Sequence, residues 1–296
     1  MIIFNNTNKF LLTLLAASTL LTACSKDDNE NPEPEQVVTI RPVNAQSNAY
    51  VTTLLGYTPA PGQAINKGIG TQDAAKTILG TKGMVCLGAF GGYIILGFDH
   101  TVLNQENKED LMIYGNAFSG FAEPGVVWVM QDSNNNGLAD DTWYELAGSA
   151  QNSAGLIRNY AITYTRPATA ASDVTWTDNQ GGSGVVKTNV FNKQAYYPEW
   201  IATNTYTLTG TLLPSTNIKT STSGIITSEA FAYGYADNTP NGDKVDIANA
   251  IDSKGNKVVL KGIDFVKIQT GIPYNLGSLG DLSTEVTGVA DLSLVK

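Results

Sequence analysis

The chain has 296 residues, with 18 Lys and Arg against 27 Asp and Glu, and a formal net charge of −9. His100 is its single histidine, and Cys24 and Cys86 are its two cysteines, so neither a multi-histidine metal site nor a disulfide scaffold can be built. Hydrophobic residues make up 42% and charged residues 15%, which is typical of a globular chain with a substantial core. Basic residues do not cluster with aromatic ones, so we expect no nucleic-acid partner.

The amino terminus has the pattern of a targeting segment. Lys9 precedes an apolar run over residues 10–21, which is too short for a membrane span because a spanning helix needs about 20 apolar residues. Leu21-Thr22-Ala23-Cys24 resembles the bacterial lipoprotein box, in which the signal is cleaved before the Cys and the Cys is acylated. We therefore predict a signal peptide over residues 1–23 and a lipid anchor on Cys24. The alternative is an ordinary signal peptide with an incidental Cys.

Residues 24–36 predict an extended, solvated tether, because they hold Pro32, Pro34 and several acidic residues but no apolar period. The start of the tether, Lys26-Asp27-Asp28, resembles the short acidic signal that directs Bacteroidetes lipoproteins to the outer face of the outer membrane. A charged spacer without an address would have the same composition. The remaining residues, 37–296, predict one ligand-binding domain.

The first regular element predicted after the tether is a helix over residues 71–79. Thr71 is a suitable N-cap, an apolar stripe follows, and Gly80 stands behind the last turn. Residues 84–90 and 93–98 then predict two strands joined by Gly91-Gly92, since glycine supplies the positive φ that a two-residue hairpin turn needs.

Five further segments predict strands, because β-branched and aromatic residues alternate or run together in them. They cover residues 126–131, 159–165, 206–212, 225–235 and 258–270. Frequent Pro and Gly breaks, and the absence of an alternating strand–helix pattern, predict an all-β fold: an antiparallel β-sandwich of jelly-roll-like type with one short helix. Residues 166–224 are richer in Thr, Ser, Asn and Gly, and predict a long polar and aromatic insertion or a second small lobe.

Residues 132–141 follow the spacing of a calcium-binding loop, because oxygen side chains alternate and Gly137 permits a sharp bend. The predicted ligands are Asp132, Asn134, Asn136, the backbone carbonyl of Leu138, Asp140 and Asp141. Trp143 stands where such loops carry a bidentate Glu, so that ligand would have to come from Asp141 or Glu145. Asx turns without any ion explain the same residues.

Aromatic rings are concentrated in residues 174–206, a segment otherwise full of Asn, Gly and Thr. Rigid rings among amide and hydroxyl groups suit a flat or ring-bearing ligand. The predicted ligand-binding residues are Trp176, Asp178, Asn179, Gln194, Tyr196, Tyr197 and Trp200. Pro198 restricts Tyr197 to an extended conformation, which favours partial exposure. Alternatively, the rings form the insertion's own core.

Scattered acidic residues form a further candidate set, with Asp99, Glu123, Asp237, Asp243, Asp246 and Glu285 as its members. Two of them could serve glycoside hydrolysis if they stood about 5 to 9.5 Å apart across a cleft; otherwise they are turn or surface groups. His100 could ligate cobalt or be a hydrogen-bonded structural residue, and Cys86 is predicted to be a buried small apolar side chain.

Many short motifs resemble, in the same order, a family of Bacteroidetes cell-surface lipoproteins. They are GGY (91–93), GFDH (97–100), IYGNAF (113–118), EPGVV (123–127), WYELAG (143–148), WTDN (176–179), YYP (196–198), GYADN (234–238), GIDFVK (262–267) and STE (283–285). The chain departs from the family pattern at Asn192, Asn249 and Ser278, where the family tends to have His and Trp.

The resemblance implies a role beside corrinoid uptake systems, with a TonB-dependent transporter or a neighbouring surface lipoprotein as partner. We therefore expect a non-catalytic protein, anchored at the cell surface on the outer membrane, that captures cobalamin or a related corrinoid as its ligand. Calcium is the one expected cofactor. A glycan-binding surface lipoprotein and a glycoside hydrolase are the alternatives.

The anchor prediction is tested by Cys24→Ala. The variant should leave the membrane fraction for the soluble fraction while keeping its fold, because each buried acyl methylene contributes about 0.8 kcal/mol to membrane binding and the tether makes no core contacts. Cell fractionation with circular dichroism on the released protein checks this. Retention of the variant in washed membranes would contradict the prediction.

Overall fold

A large antiparallel sheet forms the centre of the protein. The computed structural model describes residues 39–295; the predicted signal peptide, Cys24 and the tether lie outside them. In the amino-terminal half, the strands are β1 (Thr53–Thr58), β2 (Val85–Cys86), β3 (Tyr93–Leu103), β4 (Leu111–Tyr114), β5 (Gly125–Met130) and β6 (Trp143–Leu146), with helix α1 (Gln72–Lys76) before β2.

The second half of the chain supplies twelve more strands within the described residues. They are β7 (Ile157–Thr165), β8 (Val174–Asp178), β9 (Ser183–Val186), β10 (Thr205–Leu212), β11 (Ile218–Thr220), β12 (Ile226–Ser228), β13 (Tyr235–Ala236), β14 (Asp243–Val245), β15 (Ala250–Ile251), β16 (Gly262–Thr270), β17 (Glu285–Val286) and β18 (Gly288–Asp291). Short 3₁₀ turns occupy Ser215–Asn217, Ile247–Asn249 and Gly277–Leu279.

The strands form antiparallel sheets, the largest of which has seven strands in the order β1-β3-β16-β5-β6-β15, with β13 also paired to β5. A three-stranded sheet, β14-β4-β18, and a four-stranded sheet, β10-β7-β8-β9, stand apart from it in hydrogen bonding. Two ribbons, β11-β12 and β17-β2, complete the pairing. The prediction of an antiparallel all-β sandwich with one short helix is therefore confirmed.

The large sheet is covered on both faces, as the side chains of β5 show. Val127 and Val129 join the main core, which also contains Leu111 of β4 and Val289 of β18. Val126 lies in a different core cluster, because successive side chains of a strand point to opposite faces. Both faces of β5 are thus buried, which explains why its sequence is apolar throughout instead of alternating.

The four-stranded sheet buries a cluster of aromatic rings. Tyr160 and Tyr164 of β7 pack with Phe90, and the hydroxyl of Tyr164 donates to the Phe90 carbonyl at 2.8 Å. The same cluster includes Ala60 and Ala89, which precede the large sheet's β3, so the core of this sheet is shared with the rest of the domain.

The helix prediction is confirmed in type and place, but the helix covers only Gln72–Lys76 and is shorter than the predicted residues 71–79. The Thr71 hydroxyl accepts the backbone N–H of Ala74 at 3.1 Å, and Gly80 adopts a positive φ of 70° behind the helix. No helix among residues 39–295 is long and apolar enough to cross a membrane.

The predicted hairpin of residues 84–98 is wrong. β2 covers only Val85–Cys86 and pairs with β17 instead of β3. Past it, the Leu87 N–H donates to the Thr284 carbonyl and the Leu87 carbonyl accepts from Ala60, so the backbone of this segment is already satisfied elsewhere. The long strand predicted over residues 225–235 is also reduced, to β12 and the first residue of β13.

His100 is a hydrogen-bonded structural residue, which was one of the two interpretations of its sequence position. It is fully buried, with Nδ1 2.6 Å from Asp99 Oδ1 and Nε2 3.0 Å from Asp291 Oδ2. Burial opposes the charge, but the hydrogen bonds and charges of Asp291 and Asp99 outweigh it and raise the pKa of His100. Both ring nitrogens are occupied, which leaves none for a cobalt ligand.

This arrangement predicts a pH-dependent contribution to stability. Because the pKa of His100 is raised on folding, its stabilisation is fully present below about pH 6.5 and is lost as the pH rises through the folded-state pKa. His100→Gln should therefore lower the free energy of unfolding by about 2 kcal/mol at pH 6, and by less at pH 9. Urea denaturation across this range measures the difference, with Glu106→Gln as an exposed control. A constant gap between wild type and His100→Gln would contradict the assignment.

Candidate functional site

Three acidic side chains far apart in sequence meet at one point of the fold. Glu123 lies two residues before β5, Asp237 directly follows β13, and Glu285 opens β17. Carboxylate oxygens of the three lie within 4.8 Å of one another, the one such group of acidic, His or Cys side chains among residues 39–295. We call these three residues the carboxylate triad.

Asp237 holds the triad together. Its Oδ1 accepts the backbone N–H groups of Asn116 and Ala117, both at 2.8 Å, and its Oδ2 accepts that of Glu285 at 2.9 Å. Asp237 has a positive φ of 51°, a conformation that Asp tolerates better than most residues. Burial and the charge of Glu123 raise the pKa of Asp237, while the three N–H donors act in the opposite direction.

Glu123 and Glu285 form a hydrogen-bonded carboxyl pair. Burial, followed by the charge of Asp237, raises the pKa of Glu285 to about 7. Burial, followed by the charge and hydrogen bond of Glu285, raises the pKa of Glu123 well above its usual range. Two carboxyl groups this close cannot both ionise easily, so burial and proximity together favour a protonated form of the pair.

Neighbouring polar groups fix the orientation of this pair. Glu123 Oε1 accepts the Ser283 N–H at 3.0 Å, and Glu285 Oε1 accepts the Ser283 hydroxyl at 3.0 Å. With its amide oriented to satisfy the hydrogen bonds, Asn116 donates to Glu285 Oε2 at 3.2 Å and to Asp237 Oδ1 at 3.3 Å. Cys86, opposite Glu285 in the β2–β17 ribbon, is buried as predicted.

A cavity of about 360 Å³, which we call the carboxylate pocket, opens beside Glu123 and Glu285. Its walls come from the segments 63–69, 116–121 and 276–283, together with Asn192. Among the described residues, those that line it include no Lys, Arg or His. The pocket is therefore electronegative and disfavours anionic ligands.

The rim of the pocket is apolar. Phe118 is 60% exposed and stacks on Phe121 with ring centroids 4.7 Å apart, and Leu279 on another wall is 49% exposed. Exposed rings and aliphatic side chains around a polar floor are typical of ligand sites, where they supply contact area to a ligand that the polar groups orient.

Amides from the polar insertion shape one wall. Gln63 Oε1 accepts the side-chain amides of Asn189 at 2.7 Å and Asn192 at 3.1 Å. The Gln194 amide donates to the Gln63 carbonyl. Gln194, predicted as a ligand contact, thus borders the pocket through Gln63, and Asn192, one of the departures from the family pattern, lines it directly.

The other predicted aromatic-site residues are dispersed. The expected partial exposure of Tyr196 and Tyr197 is wrong: both are buried in the core of the four-stranded sheet, since the Tyr197 hydroxyl donates to the Thr203 carbonyl and the Tyr196 hydroxyl accepts from Asn189 N–H. Trp200 packs against Tyr57 at 6.0 Å, and Trp176 lines a separate small cavity.

Asp178 is the last residue of β8, and Asn179 lies in the turn between β8 and β9. Asp178 Oδ1 accepts the N–H groups of Gln180 and Gly182, and its Oδ2 accepts the hydroxyl of Tyr160 at 2.6 Å. Asn179 bonds the backbone of β7. These contacts hold the hairpin, and neither residue lines the carboxylate pocket.

The predicted calcium loop closes on itself through hydrogen bonds. Asp132 accepts the N–H groups of Asn136 and Gly137, and Asp140 accepts the side-chain amides of Asn134 and Asn136. The remaining predicted ligands take part as well: Asn136 Oδ1 accepts from Leu138 N–H, and Asp141 accepts from Ser133 N–H. A cation bound at Asp140 would have to displace the side-chain amides of Asn134 and Asn136. Calcium binding by this loop stays a prediction.

Of the acidic candidates from the sequence, Asp99, Asp243 and Asp246 lie elsewhere. Asp99 pairs with His100, Asp243 accepts the N–H of Asn238, and Asp246 caps the Ile247–Asn249 turn. The pocket residues Gln63 and Phe118 were not predicted as contacts. Phe118 lies in the IYGNAF motif, which was the one sequence signal available for it.

Comparisons with known proteins add no identity. No protein-family model matches the chain, and no curated protein matches it. The function is therefore argued from the geometry of the site.

The calcium hypothesis makes a prediction that separates two acidic sites. If an ion binds residues 132–141, chelation should lower the melting temperature by several degrees and calcium should restore it, because an ion bound only by the native state stabilises by mass action. Asp140→Asn should abolish the response, whereas Glu285→Gln should retain it. The reverse pattern would place the ion at the carboxylate triad, and a melting curve indifferent to calcium in the wild type would refute the hypothesis.

Proposed function

We propose that the protein is a non-catalytic, surface-anchored ligand-binding lipoprotein, and that the carboxylate pocket holds part of a neutral, amide-bearing ligand, with a corrinoid as first choice. The observation that carries the proposal is a close carboxyl pair, Glu123 and Glu285, at the floor of a pocket with an exposed apolar rim.

The chemistry of the pair suits a primary amide. A carboxyl pair with one proton presents a hydrogen-bond donor and acceptors side by side, and a primary amide offers the complementary acceptor and donors. Gln63, Asn116 and Asn192 add further amide groups to the walls. Corrinoids carry such amides around a large flat ring, so one amide arm could enter the pocket.

The size of the cavity limits how such a ligand would bind. A space of about 360 Å³ accommodates an edge of a corrinoid but not the whole molecule. The flat ring would then lie across the mouth, where Phe118 and Leu279 are exposed. Stacking area combined with a few oriented amides would give affinity without any bond between protein and cobalt.

Glycan recognition is the alternative with the same site. Sugar hydroxyls can also donate to Glu123 and Glu285, and a pyranose face can stack on Phe118. An amide-fringed ring and a hydroxyl-rich ring would use the same donors and acceptors of the pocket. Binding measurements with each class of ligand therefore separate the two functions.

Hydrolysis is a second candidate because a carboxyl pair with separated proton affinities is the usual equipment of acid–base catalysis. The spacing argues against a glycosidase: the two groups are hydrogen-bonded to each other, whereas glycosidases hold theirs about 5 to 9.5 Å apart with the substrate between them.

Anchoring and partners complete the proposal. The lipoprotein box at Cys24 and the acidic tether support attachment to the outer face of the outer membrane, and the resemblance to lipoproteins beside corrinoid uptake systems supports delivery to a TonB-dependent transporter. A tethered receptor can transfer its ligand to a transporter only if the ligand dissociates. Contact with only one edge of the ligand is consistent with such reversible binding.

Calorimetry with cyanocobalamin tests the proposal. The purified lipoprotein in detergent should release or absorb heat saturably, and Phe118→Ala should weaken binding about tenfold through loss of a contact ring. Glu285→Gln should weaken it as well, because it removes one partner of the carboxyl pair. Tyr233→Ala, which truncates another exposed ring that does not line the pocket, is the matched control.

Different results would move the assignment. Saturable heat that Trp176→Ala removes and Phe118→Ala spares would transfer the ligand to the aromatic segment. Binding to an oligosaccharide panel with no response to cobalamin would favour glycan recognition. Turnover of a glycan that Glu285→Gln abolishes would establish the hydrolase.

A further inference from the structure

A second cavity contains a buried carboxylate with an unpartnered oxygen. Asp281 is 4% exposed, its Oδ1 accepts the Gln63 N–H at 2.8 Å, and its Oδ2 has no hydrogen-bond partner. An unpaired buried carboxylate oxygen is costly, so the fold must hold Asp281 in place against this penalty.

The chain around Asp281 does so. Asn275 and Asp281 form an isolated β-bridge that the Gly277–Leu279 turn closes, and Leu276 N–H donates to the Gly280 carbonyl at 2.7 Å. Gly62 packs closely against the unpartnered oxygen, because a Cβ at that position would lie 2.6 Å from Oδ2. Loop and glycine together fix the carboxylate in the interior.

Aromatic rings form the walls beside this carboxylate. Asp281 lines a cavity of about 50 Å³ together with Tyr164, Trp176 and Tyr274. Tyr164 and Trp176 are directly opposite each other on β7 and β8. The Tyr164 hydroxyl is used by the Phe90 carbonyl, so it does not satisfy Asp281. Val185 and Tyr274, 46% and 37% exposed, stand where the cavity reaches solvent.

Nothing in the cavity walls neutralises the carboxylate. Among the described residues that line it, none is Lys, Arg or His. Burial raises the pKa of Asp281 to about 6, and a cation beside the carboxylate would favour its ionised form. A cation beside this carboxylate would be stabilised in two ways. The negative charge would form an ion pair with it, and the quadrupoles of the neighbouring aromatic rings would attract it as well.

We propose that this cavity is a binding site for a primary alkylammonium group, which pairs with Asp281 and contacts the faces of Tyr164 and Trp176. The cavity is small, at about 50 Å³, and has room for one ammonium head, since about 10–15 Å³ on this measure holds a water. The alkyl chain leaves between Val185 and Tyr274. The site is distinct from the carboxylate pocket and does not depend on the function proposed for it.

Titration with n-butylammonium chloride tests the site on the full-length lipoprotein in detergent, at constant ionic strength and pH 7.5, by calorimetry and tryptophan fluorescence. The wild type should bind butylammonium saturably, and should bind neither n-butanol nor tetrabutylammonium. Asp281→Asn should weaken binding about tenfold or more, because it removes the charge but keeps the shape. Trp176→Leu should weaken it several-fold.

Glu199→Gln, which neutralises an exposed acid near the aromatic segment, is the matched control and should bind as the wild type does. The selectivity series on the wild type needs no variant, so a misfolded Asp281→Asn would not leave the proposal undecided. Equal response to butylammonium and n-butanol, no saturable binding, or full binding by folded Asp281→Asn would each overturn it and indicate a cavity that holds only water or a protonated acid.

Discussion

The hydrogen bonds of Asp237 are the interaction on which the carboxylate pocket depends. Its side chain accepts N–H groups from Asn116 and Ala117 and from Glu285, which lie 121, 120 and 48 positions away, and its carbonyl accepts the Glu123 N–H. One residue thus joins three segments of the chain. Gly115 is part of the same constraint, because a Cβ there would lie 2.3 Å from Asp237 Oδ1.

The electrostatics of the site follow from this anchor. Burial and the charge of Glu123 raise the pKa of Asp237, and its backbone N–H donors oppose that rise only in part. Burial and the neighbouring carboxylates raise the pKa of Glu123 and Glu285 in the same way, so the electrostatics of all three acids follow from how the three segments are tied together. The stability of the pocket and its electrostatics depend on the same hydrogen bonds, so changes at Asp237 would affect both.

Sequence patterns predicted the fold class and several elements, because those depend on local signals. Thr71 begins the helix through cap chemistry that acts within a few residues, whereas the helix ends at its C-cap Thr77, before Gly80. The hairpin predicted at Gly91-Gly92 does not form, because β2 pairs with β17 instead of β3. That partner lies almost two hundred residues later in the chain, where a local turn signal cannot reveal it. Pairing between distant strands leaves no trace in either strand alone.

The site was predicted only as a list of separate acids. Glu123, Asp237 and Glu285 were all candidates, but spacing along the chain could not distinguish them from Asp99, Asp243 or Asp246. The aromatic segment misled for a related reason. Composition detects rings and amides but not the direction in which each faces, and here Tyr196 and Tyr197 face inward while Asn192 reaches the pocket.

These two outcomes explain the loop between β9 and β10, which lies within the predicted insertion of residues 166–224. Its buried rings form a core with β7 and β8, and this core fixes the loop that carries Asn189 and Asn192. The Tyr196 hydroxyl accepts the Asn189 N–H at 3.2 Å, which links the buried ring directly to the amide that holds Gln63. The aromatic residues therefore affect the pocket indirectly, because they position the amide side chains of its wall. Because Asn192 belongs to this wall and not to the triad, a change at that position would alter the shape of the pocket while the hydrogen bonds of the triad stay the same.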